Sequence, residues 1–131
     1  MRKIIVFMVI ASFVLAVDSC KKDDEDPAAG LYGKWNWVSS TGGLSGGTLT
    51  PQTEGYTQEM EFLAKGTIVF RQDGAITSEK VFSVTTDPKI STKPIIKLEQ
   101  NPQWMYSIDK DTLFLQDFCL DCYEHKYVRV K

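Results

Sequence analysis

The chain has 131 residues, 43% of them apolar and 24% charged, with a formal net charge of −2. That length suits one domain with a single modest core. The charge balance and the scatter of Lys and Arg argue against a nucleic-acid partner.

Met1-Arg2-Lys3 precedes an apolar run over residues 4–17, which stops at Asp18-Ser19-Cys20 and is followed by Lys21-Lys22-Asp23-Asp24-Glu25-Asp26. The run is too short for the roughly 20 residues of a spanning helix and falls inside the roughly 7 to 15 of a secretory signal core. Val17-Asp18-Ser19-Cys20 resembles the lipobox of bacterial lipoprotein precursors, which implies a signal peptide over 1–19, cleavage before Cys20 and acyl chains such as palmitate on that cysteine. Several chains make such an anchor stable, since each buried methylene contributes about 0.8 kcal/mol. The acidic run behind Cys20 is similar to the surface-export signal of Bacteroidota lipoproteins, so a lipid-anchored protein of the outer membrane, facing the cell surface, is expected. Residues 20–30 hold charge and no large apolar side chain, so they read as a flexible tether, with the folded domain over 31–131. Removing 1–19 takes Arg2, Lys3 and Asp18, leaving 13 basic and 16 acidic residues and a net charge of −3.

From Leu31 onward β-branched and aromatic residues alternate with polar ones in short segments, and no stretch has helical spacing. The spacing predicts eight strands, over 32–40, 56–63, 67–72, 75–85, 94–99, 103–109, 112–117 and 123–130. Asp73-Gly74 is a strong hairpin signal, and Asn101-Pro102 and Asp109-Lys110-Asp111 are turns. The fold class is all-β: sequential hairpins at this spacing suggest a small up-and-down antiparallel barrel, whose closure removes exposed edges. One long Gly-rich loop, over 41–55, interrupts the tight punctuation and suits a lid or flap.

Cys119 and Cys122 form an even pair in an oxidising compartment and are expected to be disulfide-bonded, closing a very short loop that rigidifies one turn. Cys119, Cys122 and His125, with Asp117 and Asp121 near, could also be read as a zinc cluster, but that spacing offers only three soft ligands and oxidation competes, so no metal and no cofactor is expected. The acidic setting likewise disfavours a redox-active pair. Gly42-Gly43-Leu44-Ser45-Gly46-Gly47 lacks the Lys-Ser/Thr of a phosphate loop.

Gly33-Lys34-Trp35 near the start of the first strand, answered by Arg129 at the end of the last, resembles the signature of the lipocalin (calycin) barrels, and the whole of 31–131 looks like the small lipocalin-like lipoproteins of Bacteroidota. The resemblance implies that Trp35 sits on a closed floor with Arg129 across its indole, a structural cation–π pair of order 1 kcal/mol. Strand alternation then turns Trp37, Met60, Phe62 and Phe70 inward, together with Trp104, Tyr106, His125 and Tyr127. These eight are the candidate ligand-contacting residues. Glu59, Glu61, Glu124 and Lys126 face water in the same phase.

An aromatic lumen suits a small apolar or ring-shaped ligand, although an eight-strand barrel can also be filled by its own side chains. His125 could act as a base only with a partner carboxylate or nucleophile, which spacing does not assign. The expectation is a monomeric, non-enzymatic envelope lipoprotein that binds a small apolar or aromatic molecule. The rival is a filled barrel that serves as a protein- or glycan-interaction module.

Overall fold

The computed structural model describes residues 26–131, so the signal peptide expected over 1–19 and the expected lipid site Cys20 lie outside the described residues. The strands are β1 (Gly33–Gly42), β2 (Gly47–Leu49), β3 (Gln58–Leu63), β4 (Thr67–Gln72), β5 (Ala75–Thr85), β6 (Ile95–Leu98), β7 (Gln103–Asp109), β8 (Thr112–Asp117) and β9 (Glu124–Arg129), with one helical turn, α1 (Pro51–Glu54), between β2 and β3. They lie in the order β2-β1-β3-β4-β5-β6-β7-β8-β9, every pairing antiparallel, and β1 also pairs with β9. The result is a closed eight-strand up-and-down barrel, with β2 a short extra strand laid on the end of β1.

Period-two patterning produces this closure. Along β3 the burial alternates, with Met60 and Phe62 inside and Glu59 and Glu61 outside, where both carboxylates take hydrogen bonds from Arg71 on β4 at 3.1 and 2.8 Å. Glu61 above all holds the Arg71 guanidinium above its ordinary pKa. Turn chemistry matches the hairpins: Asp73 and Gly74 both adopt positive φ, as a two-residue hairpin loop of type I′ requires.

The Gly-rich segment is more ordered than its composition predicts. β1 runs on to Gly42, and Gly47–Leu49 pairs back on its last three residues, Thr41 lying opposite Thr48. Thr50 then caps α1: its hydroxyl accepts from the Thr53 N–H at 3.2 Å, and the Thr53 hydroxyl accepts from the Thr50 N–H at 2.8 Å. Gly42 is required by position, because a Cβ there would overlap the carbonyl of Cys122 in the neighbouring loop.

One end of the barrel is shut. Trp35 lies opposite Arg129, whose guanidinium carbon sits 4.2 Å from the indole centroid, and Trp35 donates to the Leu31 carbonyl at 2.8 Å. Trp35, Phe62, Ile68, Phe82, Ile96 and Leu113 fill the barrel above this floor, Phe62 meeting Phe82 edge to face at 5.2 Å.

A strap over 26–32 crosses the outside of the floor. Arg129 donates to the carbonyls of Tyr32 and Gly30, both at 2.8 Å, and the Tyr106 hydroxyl donates to the Pro27 carbonyl at 2.9 Å. Leu31 and Ala28 are buried, and Asp26 accepts from both the Tyr32 hydroxyl and the Ala28 N–H, which holds its carboxyl below the usual range. The tether read over 20–30 therefore gives way to packed chain at Asp26. The closed end carries side-chain donors that need acceptors, and the strap's carbonyls supply them.

Candidate functional site: the barrel mouth

The opposite end, where the β1–β3, β4–β5, β6–β7 and β8–β9 connections meet, opens into a cavity of about 330 Å³. Trp37, Met60, Phe70, Trp104, His125 and Tyr127 line it, and all six belong to the inward set read from alternation. The other two of that set lie deeper. Phe62 packs on Phe82 in the filled half, and Tyr106 is drawn to the strap by its hydrogen bond to Pro27, so neither reaches the cavity.

Further lining comes from Ser40, Leu49, Tyr56, Gln58, Leu115 and Tyr123. Leu49 and Tyr56 belong to the Gly-rich connection, which thus forms one wall, and Tyr56 stacks on Trp37 at 6.0 Å between centroids. Tyr123 stacks on His125 at 6.1 Å. A smaller hollow of about 180 Å³ shares Gln58, Met60, Phe70 and Tyr127 with the main cavity. A shallower depression of about 400 Å³ lies at the same end, between 101–103 and 117–119.

Ser40 is inward because of a β-bulge. Opposite β9, Trp37 pairs with Tyr127 and Ser39 with Lys126, leaving Val38 unpaired, so the phase shifts by one and Ser40 faces His125. Strict alternation from Trp35 and Trp37 would have turned Ser39 inward. The shift builds a polar chain: Trp37 Nε1 donates to Ser40 Oγ at 2.8 Å, Ser40 Oγ lies 2.7 Å from His125 Nδ1, and His125 Nε2 lies 3.4 Å from Asp117 Oδ1. All donors are satisfied when Ser40 donates to Nδ1 and the Nε2–H faces Asp117.

Serine, histidine and aspartate in this order invite comparison with a nucleophilic triad, but the chemistry differs. Trp37 occupies a lone pair of Ser40 Oγ, which lowers its nucleophilicity, and at 3.4 Å the carboxylate contact is longer than a charge-assisted hydrogen bond. Ser40 is also only 5% exposed. The chain fixes the imidazole as part of the cavity wall.

Tyr127 differs from these. It is 7% exposed, and its hydroxyl has no hydrogen-bond partner among the described residues. Every fully occluded side-chain polar atom among those residues is partnered, so this hydroxyl is not fully occluded, and Tyr127 lines both the cavity and the smaller hollow beside it. Burial first, then the nearby Asp117 and Tyr56, pushes the phenol well above its ordinary pKa, so it stays protonated.

Cys119 and Cys122 are disulfide-bonded in the loop between β8 and β9. With both sulfurs engaged, no group of three or more His, Cys, Asp or Glu is placed to hold a metal ion among the described residues. The same end carries exposed apolar side chains at its loop tips, Leu44 and Leu120 each 96% exposed.

Charge separates along the barrel axis. The mouth connections carry Glu54, Asp73, Glu99 and Asp121 and no Lys or Arg, with Asp117 and Glu124 at the adjoining strand ends and Arg71 and Lys97 one residue inside β4 and β6. The floor connections hold Lys65, Lys89, Lys93 and Lys110, with Lys34 and Lys131 close by, against Asp26, Asp87, Asp109 and Asp111. The chain matches no protein-family profile, no curated protein and no solved structure.

Proposed function

We propose that the protein is an acylated envelope lipoprotein of the outer membrane whose lipocalin-like barrel binds a small apolar or aromatic molecule in its mouth, without chemically altering it. The observation that carries this reading is the cavity of about 330 Å³ at the unfilled end, walled by Trp37, Phe70, Trp104 and Tyr127 with a few fixed polar groups. Small-molecule sites have this mixture of apolar wall and sparse polar groups, and volumes of roughly 300 to 1,000 Å³, so the ligand is a compact one. The layout of residues 1–26 supports the anchor, and the closed barrel with Arg129 over Trp35 is in keeping with the lipocalin resemblance.

The test is native mass spectrometry of the chain from residue 20 onward with Cys20→Ser, purified from several hosts and after exposure to envelope extracts. A retained small molecule, lost on Trp104→Ala, supports the reading; consistent absence of any adduct rejects it. In the native host Cys20→Ser should move the protein from the membrane to the soluble fraction, and continued membrane association with an uncut amino terminus would reject the anchor. A second reading, a surface interaction module, is favoured by the fully exposed Leu44 and Leu120 at the mouth's loop tips.

A further inference from the structure

The mouth shows a preference for one sign of charge. Its walls are aromatic, since Trp37, Tyr56, Phe70, Trp104, Tyr123 and Tyr127 line a cavity to which no Lys or Arg contributes. Aromatic faces are electrostatically negative, and several converging on one space hold ammonium ions better than neutral molecules of the same shape. Tyr127, deeply buried, lines this space and carries a hydroxyl that is not fully occluded, an oxygen able to accept from a ligand N–H or to face a positive centre. Around the opening stand Glu54, Asp73, Glu99, Asp121 and Glu124, all exposed; the mouth connections themselves hold no basic residue, and the cations beside them stand on the strands, Arg71 paired with Glu59 and Glu61, and Lys80 and Lys126. A rim of one sign above a low-dielectric cavity concentrates ions of the opposite sign.

We propose that the mouth's ligand is a small organic cation, an alkyl- or arylammonium ion whose head lies against the aromatic walls and whose approach is steered by the acidic rim. This rests on the cavity being a ligand site and adds the sign of the ligand's charge. An anion would meet the acidic rim unfavourably. A bare metal ion would find neither a carboxylate nor a thiolate in the cavity wall. An organic cation fits because its apolar body also gains from burial.

The chain from residue 20 onward with Cys20→Ser tests this, since the closed sheet lies wholly within residues 26–131. Three probes of one shape are titrated: choline, neutral 3,3-dimethylbutan-1-ol and anionic 3,3-dimethylbutanoate, followed by the indole N–H resonances of Trp37 and Trp104. Choline should bind roughly ten-fold more tightly than the alcohol, with the anion weakest. Added salt should weaken choline and leave the alcohol unchanged. Asp121→Asn combined with Glu124→Gln, both exposed and conservative, should lower choline affinity about two- to three-fold and spare the alcohol. If the alcohol binds as well as choline, the charge inference is overturned while the pocket stands. If none of the three shifts either indole, the pocket reading falls with it. Choline binding that ignores both Trp104→Leu and the rim substitutions would place the cation elsewhere and also overturn the proposal.

Discussion

The two halves of the barrel are built from the same alternating strands, yet they do opposite things with their interiors. The floor half spends its aromatic side chains on one another and on the strap: Trp35 is completely buried beneath Arg129, and Phe62 meets Phe82. The mouth half leaves Trp37, Phe70, Trp104 and Tyr127 around a void and braces one of its walls with the Trp37, Ser40 and His125 chain. Close packing therefore resides at one end and the open cavity at the other.

Substitution of the two tryptophans tests this division most directly. Trp35→Ala should cost about 3–5 kcal/mol in denaturant unfolding, the range for emptying a buried aromatic site. Trp104→Ala, at a half-exposed cavity wall, should cost about 1 kcal/mol and abolish ligand retention. Equal costs would break the division. Arg129→Ala should come next, at about 2 kcal/mol, because it removes a cation–π contact and two hydrogen bonds to strap carbonyls. Limited proteolysis should then cut within 26–32, and leave that segment intact in the unsubstituted protein. Loss of the Cys119–Cys122 bond by double replacement with Ala should cost at most roughly 2 kcal/mol, since the closed loop is very short. The change should be confined to the mouth, read as amide shifts in 117–124 with the floor unmoved.

The smallest effect is in alkali. Tyr127 has a folded pKa raised above its unfolded value near 10, so its contribution is fully present below pH 10 and drains away as pH rises beyond it. Tyr127→Phe should flatten the loss of stability above pH 10 in urea midpoints taken across that range. An unchanged slope would mean the phenol is not held neutral by burial. At the floor the sign is reversed: the Asp26 carboxyl is lowered, so its support of the strap persists above about pH 3.8 and is lost as the pH falls further.

Strand count, order and phase were legible because each strand carries its own alternation and each tight turn its own residues. Asp73-Gly74 and the Glu59, Met60, Glu61, Phe62 pattern need no tertiary information. The site was legible only in its aromatic wall. Ser40 was hidden by the bulge at Val38, a one-residue slip that hydrophobic periodicity does not encode. The contact of Asp117 with His125 was hidden because the two lie on paired strands across the β8–β9 connection and not at a fixed spacing on one strand. The order in 47–54 depends on pairing with β1 and on the Thr50 cap, while glycine content alone reads as a loop. The strap escaped notice because its grip comes from backbone carbonyls, which every sequence has.

The strap also fixes which end of the barrel the proposed anchor would hold. Chain preceding Asp26 departs from the shut end, and only 21–25 separate it from Cys20, a reach of at most about 20 Å. With the fatty anchor proposed on Cys20, this segment would be a stem beneath a cup: the lysine-bearing base would rest near the headgroups, where anionic lipid would draw it closer, and the opening would look away from the bilayer. Cargo would enter from the surrounding medium and not by sideways extraction from the leaflet.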